Sequence, residues 1–351
     1  MMERTTVAAT AAPSLPAKPL ASLAYVGLAV GVALFTAVIA YQGFREVAAA
    51  LTVAGSGLLV VALFHLAPLL TNALGWRWLF GESERLPVRT LVWARWIAES
   101  VNGLLPVMQV GGNLVRAQMI ARCGVAGTAA GASVVVDITL NILSQVLFTF
   151  LGLCLLLVHL GAGEFVGPVV VGMMLMVGMV TSFYLVQRRG LFGAMAGLLD
   201  RITQRLDWRS LASEAATLDA SVHRLYGDRR AIAMGTFWHL LSWILGAGEV
   251  WLALYFLGHP VSLTTAVLWE SLGQALRTAA FAVPGALGVQ EGGFVVLGSW
   301  FGIPPPVALA LSLAKRVREL LLGVPGLVAW QVQGAATLLT AGAGARVGEG
   351  E

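Results

Sequence analysis

The sequence predicts an all-α polytopic integral membrane protein, with about six full spans, two Pro/Gly-broken re-entrant segments and signs of an inverted repeat. Three observations carry this. Of 351 residues 58% are hydrophobic and only 11% charged, against about 25% charged in an ordinary soluble domain. The mean hydropathy is +0.82. Apolar runs near the roughly 20 residues needed to cross a bilayer recur along nearly the whole chain. A soluble two-domain enzyme and a disordered chain are excluded. The roughly ten-residue alternating strands of a membrane β-barrel are absent.

Residues 1–20 form a polar tail with Arg4 and Lys18. A span follows at Ala21–Ala40, longer than the 7 to 15 apolar residues of a signal peptide, so it reads as an anchor. Further spans are predicted at Gly55–Leu74, Gly131–Val158, Phe165–Leu185, Ala231–Leu257 and Pro306–Gln331. Trp96–Gly112 and Leu263–Gly302 are interrupted by Pro and Gly and carry charges, a pattern tolerated at membrane depth only inside protein or against water. One transmembrane domain over 21–331 results, with a tail at 332–351. The connector 188–230 is Arg-rich, and within it Leu191–Leu211 carries an apolar helical stripe opposite Arg201, Arg205 and Arg209, as a helix lying on an anionic leaflet would.

Lys+Arg exceed Asp+Glu by 22 to 18, and the pI is about 9.4. The clustering of arginines in that connector assigns the excess to a cytoplasmic membrane face rather than to nucleic acid. The loops at His159 and His259 lack Lys and Arg and read as external. Arg77, Arg85, Arg89, Arg95, Arg116 and Arg122 then fall inside, as do both termini, provided that the two broken segments enter from opposite faces. An inverted repeat predicts that arrangement. Glu99–Ser100 and the Gly111–Gly112 pair in the first segment echo Glu270–Ser271 and Gly292–Gly293 in the second, although the spacing between the pieces differs.

No nucleotide, zinc-protease or serine-hydrolase motif is present, so no cofactor, metal or catalytic residue is expected. Cys123 and Cys154 read as structural, and His239 as a satisfied buried histidine. The intramembrane charges are more informative. Lys315, Arg316, Arg318 and Glu319 fall near the middle of the last span. Exposing four charges to lipid would cost on the order of 10 kcal/mol, so they must face a wet cavity, counter-charges or an anionic ligand. Arg277 lies near Glu270, and Glu99 and Arg116 flank the first break. Asp137 and Glu249 sit in apolar spans as intramembrane charge partners. The glycines at the breaks serve either close backbone approach to a headgroup or tight helix packing.

Two stretches, ESVNGLLPVMQVGGNLVRAQMIARCGV (Glu99–Val125) and VPGALGVQEGGFVVLGSWFGI (Val283–Ile303) followed by LAKRVRELLLGVPGL, resemble the paired signatures of the flippase-like family built on the membrane region of lysylphosphatidylglycerol synthases. The matching positions are Asn102, Pro106, Gly111, Gly112 and Arg116, then Pro284, Gly285, Gly288, Glu291 and Arg316. Phe237–Leu254 and the second signature further resemble the subgroup associated with hopanoid biosynthesis. The chain shows no aminoacyl-transferase domain after its last span, and Ala286 stands where family members often carry a second Gly.

The resemblance implies lipid translocation in a cell (inner) membrane, with hopanoids or phospholipids as partners and lipid-synthesis proteins as further ones. A non-enzymatic transporter is therefore expected, with Arg116, Arg277, Arg316 and Arg318 as headgroup or counter-ion contacts and Glu99, Glu270 and Glu291 balancing them. The alternatives are a membrane-embedded lipid-modifying transferase using Glu291 or Glu270 as base, and a scaffold acting through the connector.

Overall fold

In the computed structural model the chain is a bundle of packed α-helices. The structure describes Thr36 and residues 44–81, 85–105, 110–160, 166–188, 208–280, 283 and 286–347. The tail 1–20, all of the Ala21–Ala40 span except Thr36, the connector helix up to 207, and Pro106, Pro284 and Gly285 lie outside the described residues.

The helices run α1 (Phe44–Ala54), α2 (Gly57–Phe64), α3 (Leu66–Arg77), α4 (Val88–Leu104), α5 (Gly111–Arg122), α6 (Gly127–Leu160), α7 (Val166–Arg188), α8 (Trp208–Gly227), α9 (Arg229–Phe256), α10 (Leu263–Ala279), α11 (Val289–Trp300) and α12 (Pro305–Val347). No strand occurs among the described residues. Among the described residues three stretches are both long and apolar enough to cross a membrane: Gly57–Arg77, Gly127–Val158 and Arg229–Phe256.

The span predicted at Gly55–Leu74 is two helices joined at His65. Pro68 explains the interruption: it has no N–H for the Phe64 carbonyl, and its ring crowds the turn before it. The ladder resumes when Leu69 N–H donates to His65 O at 3.2 Å. Helix continues beyond the predicted last span: α12 runs from Pro305 to Val347, into the stretch expected to be a tail. The stretch Leu191–Leu211 read as lying on a leaflet falls almost wholly outside the described residues. Further along the connector, α8 buries Val222 and packs Leu218, Leu225 and Tyr226 against a core containing Trp76, Leu91 and Val136.

Both broken segments are helix–loop–helix hairpins, α4–α5 and α10–α11, whose arms pack on each other. In the first, Gly112 N–H donates to Asn102 Oδ1 at 2.8 Å, and the approach to the Ala98 carbonyl leaves no room for a Cβ at Gly112. In the second, Gly288 begins α11 at φ +77, a left-handed conformation that favours glycine. Its N–H donates to Glu291 Oε2 at 2.7 Å, half of a capping box. Ala286, two residues earlier, has φ +50, so the departure from the family's second glycine falls on a left-handed position.

Each hairpin packs on the long helix of the other half. Ser100 of α4 occupies the space beside Gly326 of α12, and Trp96 Nε1–H donates to Leu322 O at 2.9 Å. Reciprocally, Ser271 of α10 fills the space beside Gly152 of α6, and Gln145 Nε2–H donates to Thr278 Oγ1 at 2.6 Å. The two Glu-Ser pairs noted in the sequence therefore hold equivalent, crossed positions.

Candidate functional site

Charged side chains from α4, α5, α6, α9, α10, α11 and α12, with Asn72 of α3 and His65 at the α2–α3 junction, meet in the bundle interior. At one end Asp137, fully buried on α6, accepts from Arg95 Nη1 at 2.8 Å and Arg116 Nη1 at 2.5 Å. His239 Nε2 lies 2.9 Å from Asp137 Oδ1, and its Nδ1 lies 2.7 Å from the Asn72 amide oxygen. Arg116 also donates from Nε to Asn113 at 3.0 Å, and its guanidinium lies 4.8 Å from the centre of the Trp76 ring.

At the other end Glu249 of α9 accepts from Arg318 Nη1 at 2.9 and 2.8 Å, with His65 Nδ1 2.8 Å away. Arg318 and Arg316 share Glu319 with Arg277, whose Nη1 lies 3.1 Å from it. Arg316 Nη2 reaches Glu291 at 3.3 Å, and Glu291 is held further by Ser312 Oγ–H at 2.8 Å. Lys315 pairs with Glu270, which also accepts from Gln274 at 2.8 Å. Glu99 joins the ends: Arg95 Nε is 3.5 Å from one of its oxygens and His65 Nε2 is 3.8 Å from the other.

Six cations (Arg95, Arg116, Arg277, Lys315, Arg316, Arg318) thus face six carboxylates (Glu99, Asp137, Glu249, Glu270, Glu291, Glu319). Pairing is what makes such charges tolerable in an apolar bundle, since an unpartnered one costs several kcal/mol. The group is not wholly enclosed. The side chains of Glu99, Arg277 and His65 are 40%, 25% and 23% exposed, and those of Glu319 and Arg316 less so. Arg316 Nε and Gln290 Oε1 are buried without a hydrogen-bond partner among the described residues.

The structure assigns partners that the sequence left open. Glu270 pairs with Lys315, and Glu99 turns to Arg95 and His65. Arg116, expected as a headgroup or counter-ion contact, has Asp137 as its counter-ion and lies against the Trp76 ring. Asn102, Gly111, Gly112 and Gly288 shape the hairpins, and Pro106, Pro284 and Gly285 are outside the described residues. His65, Asn72, Arg95, Gln290 and Ser312 were missed. His65 was visible as an ionisable residue within an apolar span, and Arg95 as the residue four before Glu99.

Among the described residues no cluster of three or more His, Cys, Asp or Glu is arranged to hold a metal. Away from the network, an open groove of about 610 Å³ is lined by Arg89, Trp93, Met119, Arg122, Cys123 and Gln333. Close by, Arg85 and Arg230 lie 5.5 and 5.4 Å from the centre of the Trp78 ring.

Searches of curated proteins and of solved structures return no match. A family model described as the lysylphosphatidylglycerol synthase TM region matches residues 25–326. With both signature hairpins and the charged stretch Lys315–Glu319 of the last helix inside that match, the chain belongs to the lysylphosphatidylglycerol synthase transmembrane-region family.

Proposed function

We propose that this protein moves a membrane lipid between leaflets without altering it covalently. The headgroup travels along the charged network while the tails stay in the bilayer. The observation that supports this reading is the joining of both broken hairpins by a charge-balanced network whose Glu99, His65, Arg277 and Arg316 side chains remain partly open. A headgroup entering there exchanges one polar partner for another instead of leaving water for hydrocarbon, which removes most of the barrier to crossing. Arg316 is suited to first contact, because its side chain is part-exposed and its pairing to Glu291 at 3.3 Å is looser than the Arg318–Glu249 pair. The lipid is a phospholipid or a hopanoid of the cell's inner membrane, with the arginine-lined end of the bundle facing the cytoplasm.

The test is lipid mass spectrometry on separated membranes from cells lacking the gene, hopanoids included. Unchanged totals with a shifted distribution are expected. A missing product with an accumulated precursor would make the protein a transferase, and an unchanged distribution would remove the transport reading altogether.

A further inference from the structure

The three buried carboxylates on α6, α9 and α11 are locked. Asp137 is held by two arginines and His239, Glu249 by two contacts from Arg318, and Glu291 by Ser312, Arg316 and the Gly288 N–H. Protonating any of them would take a counter-charge away from the cations that hold it. His65 differs. Its Nδ1 lies 2.8 Å from Glu249 Oε2 and also 2.7 Å from Arg318 Nη1, a carboxylate and a guanidinium at once. Neither protonation state satisfies both. A bare Nδ1 accepts from Arg318 but confronts the oxygen of Glu249; a protonated Nδ1 donates to Glu249 but confronts the N–H of Arg318.

The third neighbour is Glu99, 3.8 Å from Nε2 and the most open carboxylate of the network. These three groups, from α9, α12 and α4, are the charged side chains within ion-pair distance of the ring among the described residues. His65 therefore combines a conflicted position with partial exposure of its own ring and of the neighbouring Glu99.

We propose that His65 takes up one proton when an anionic headgroup, such as a phosphodiester, enters the network, so that lipid and proton move together. The inference rests on the lipid-moving reading above and adds the charge of the cargo and the coupled ion. The electrostatics require a compensating charge. With both imidazoles neutral, the six cations and six carboxylates cancel, so a monoanionic headgroup would leave the interior with one uncompensated negative charge. In the empty state Arg318 occupies Nδ1 and Glu249 together. A headgroup phosphate drawing on the guanidiniums of Arg316 and Arg318 frees Nδ1 to hold a proton and to donate it to Glu249. Nothing is oxidised or reduced; one proton binds on entry and leaves on release.

The test uses purified full-length protein in weakly buffered detergent solution with a pH indicator. Dioctanoyl phosphatidylglycerol is the anionic probe and dioctanoyl phosphatidylethanolamine the zwitterionic one, and binding is followed separately by tryptophan fluorescence. The expected result is one proton taken up per phosphatidylglycerol bound and none with the ethanolamine lipid. The informative variant is His65→Asn, which keeps a polar but non-titrating side chain beside Glu249 and Arg318. Whatever its affinity for phosphatidylglycerol, the lipid that it binds is expected to bring no proton uptake, whereas Glu99→Gln slows the uptake. Binding without uptake in the natural protein, uptake that persists in His65→Asn, or no phosphatidylglycerol binding each overturns the proposal. Transport is scored apart, by movement of a fluorescent phosphatidylglycerol across vesicles. Proton uptake on binding with no movement sinks the lipid-moving reading alone, and movement without proton uptake sinks only the proton site.

Discussion

Arg316 and Arg318 are two residues apart on one helix, yet the structure gives them different work. Arg318 makes both of its short contacts to Glu249, a carboxylate only 2% exposed. Replacing it with Gln leaves that charge with His65 alone and costs about 3–5 kcal/mol, read as a large fall in melting temperature or loss of membrane-inserted protein. Arg316 is looser and part-exposed, so Arg316→Gln should leave insertion and melting temperature near those of the natural protein while lipid movement falls at least tenfold in a vesicle assay. If both variants transport normally, the charged helix is scaffolding. Ala286 gives a third residue-scale expectation. A non-glycine residue at positive φ costs of order 1 kcal/mol or more, so Ala286→Gly should raise the unfolding free energy by about 1 kcal/mol, measured by thermal melting.

At the scale of elements, the two hairpins are held by glycine-to-serine contacts on helices of the opposite half. Gly→Ala inside a helix ordinarily stabilises by about 1 kcal/mol. At Gly152, where Ser271 already fills the space, the sign should reverse: Gly152→Ala should lower stability by about 1–3 kcal/mol through overpacking. Pairing it with Ser271→Gly should recover much of the loss. Additive effects in that double variant would show that the helices do not meet there. The element boundaries were largely legible in the sequence, because apolar length and Pro/Gly interruption are local properties. The breaks at Trp96–Gly112 and Leu263–Gly302 became hairpins for that reason. The interruption at His65 was legible too, from Pro68, but it is masked in an apolar run by the strength of the hydropathy signal.

For the whole molecule, the pairing of charges is what the sequence withheld. His65 and Arg318 are 253 residues apart, and Arg318 and Glu249 are 69. Nothing in a one-dimensional pattern says that Glu270 belongs to Lys315 rather than to Arg277 seven residues away. Sequence reasoning finds the charged residues through their cost in an apolar run, and only the packing of α3, α4, α9 and α12 assigns partners. The side of the membrane each end faces is open to a direct check. Cys123 is exposed beside Arg122, whereas Cys154 is partly covered within α6. With the arginine-lined end in the cytoplasm, a membrane-impermeant maleimide should label Cys123 in inside-out vesicles and not in intact cells. Labelling of intact cells would invert the orientation.

The crossed packing of the hairpins also sets a clock on biosynthesis. Trp96 and Leu322, which bond across α4 and α12, are separated by 226 residues. At about 5–20 residues per second, the ribosome needs roughly ten to forty-five seconds to deliver the partner of the first hairpin. Through that interval α4 lacks the Leu322 carbonyl that Trp96 bonds and the Gly326 surface on which Ser100 packs, so the seat of the first hairpin is completed only when α12 has been made.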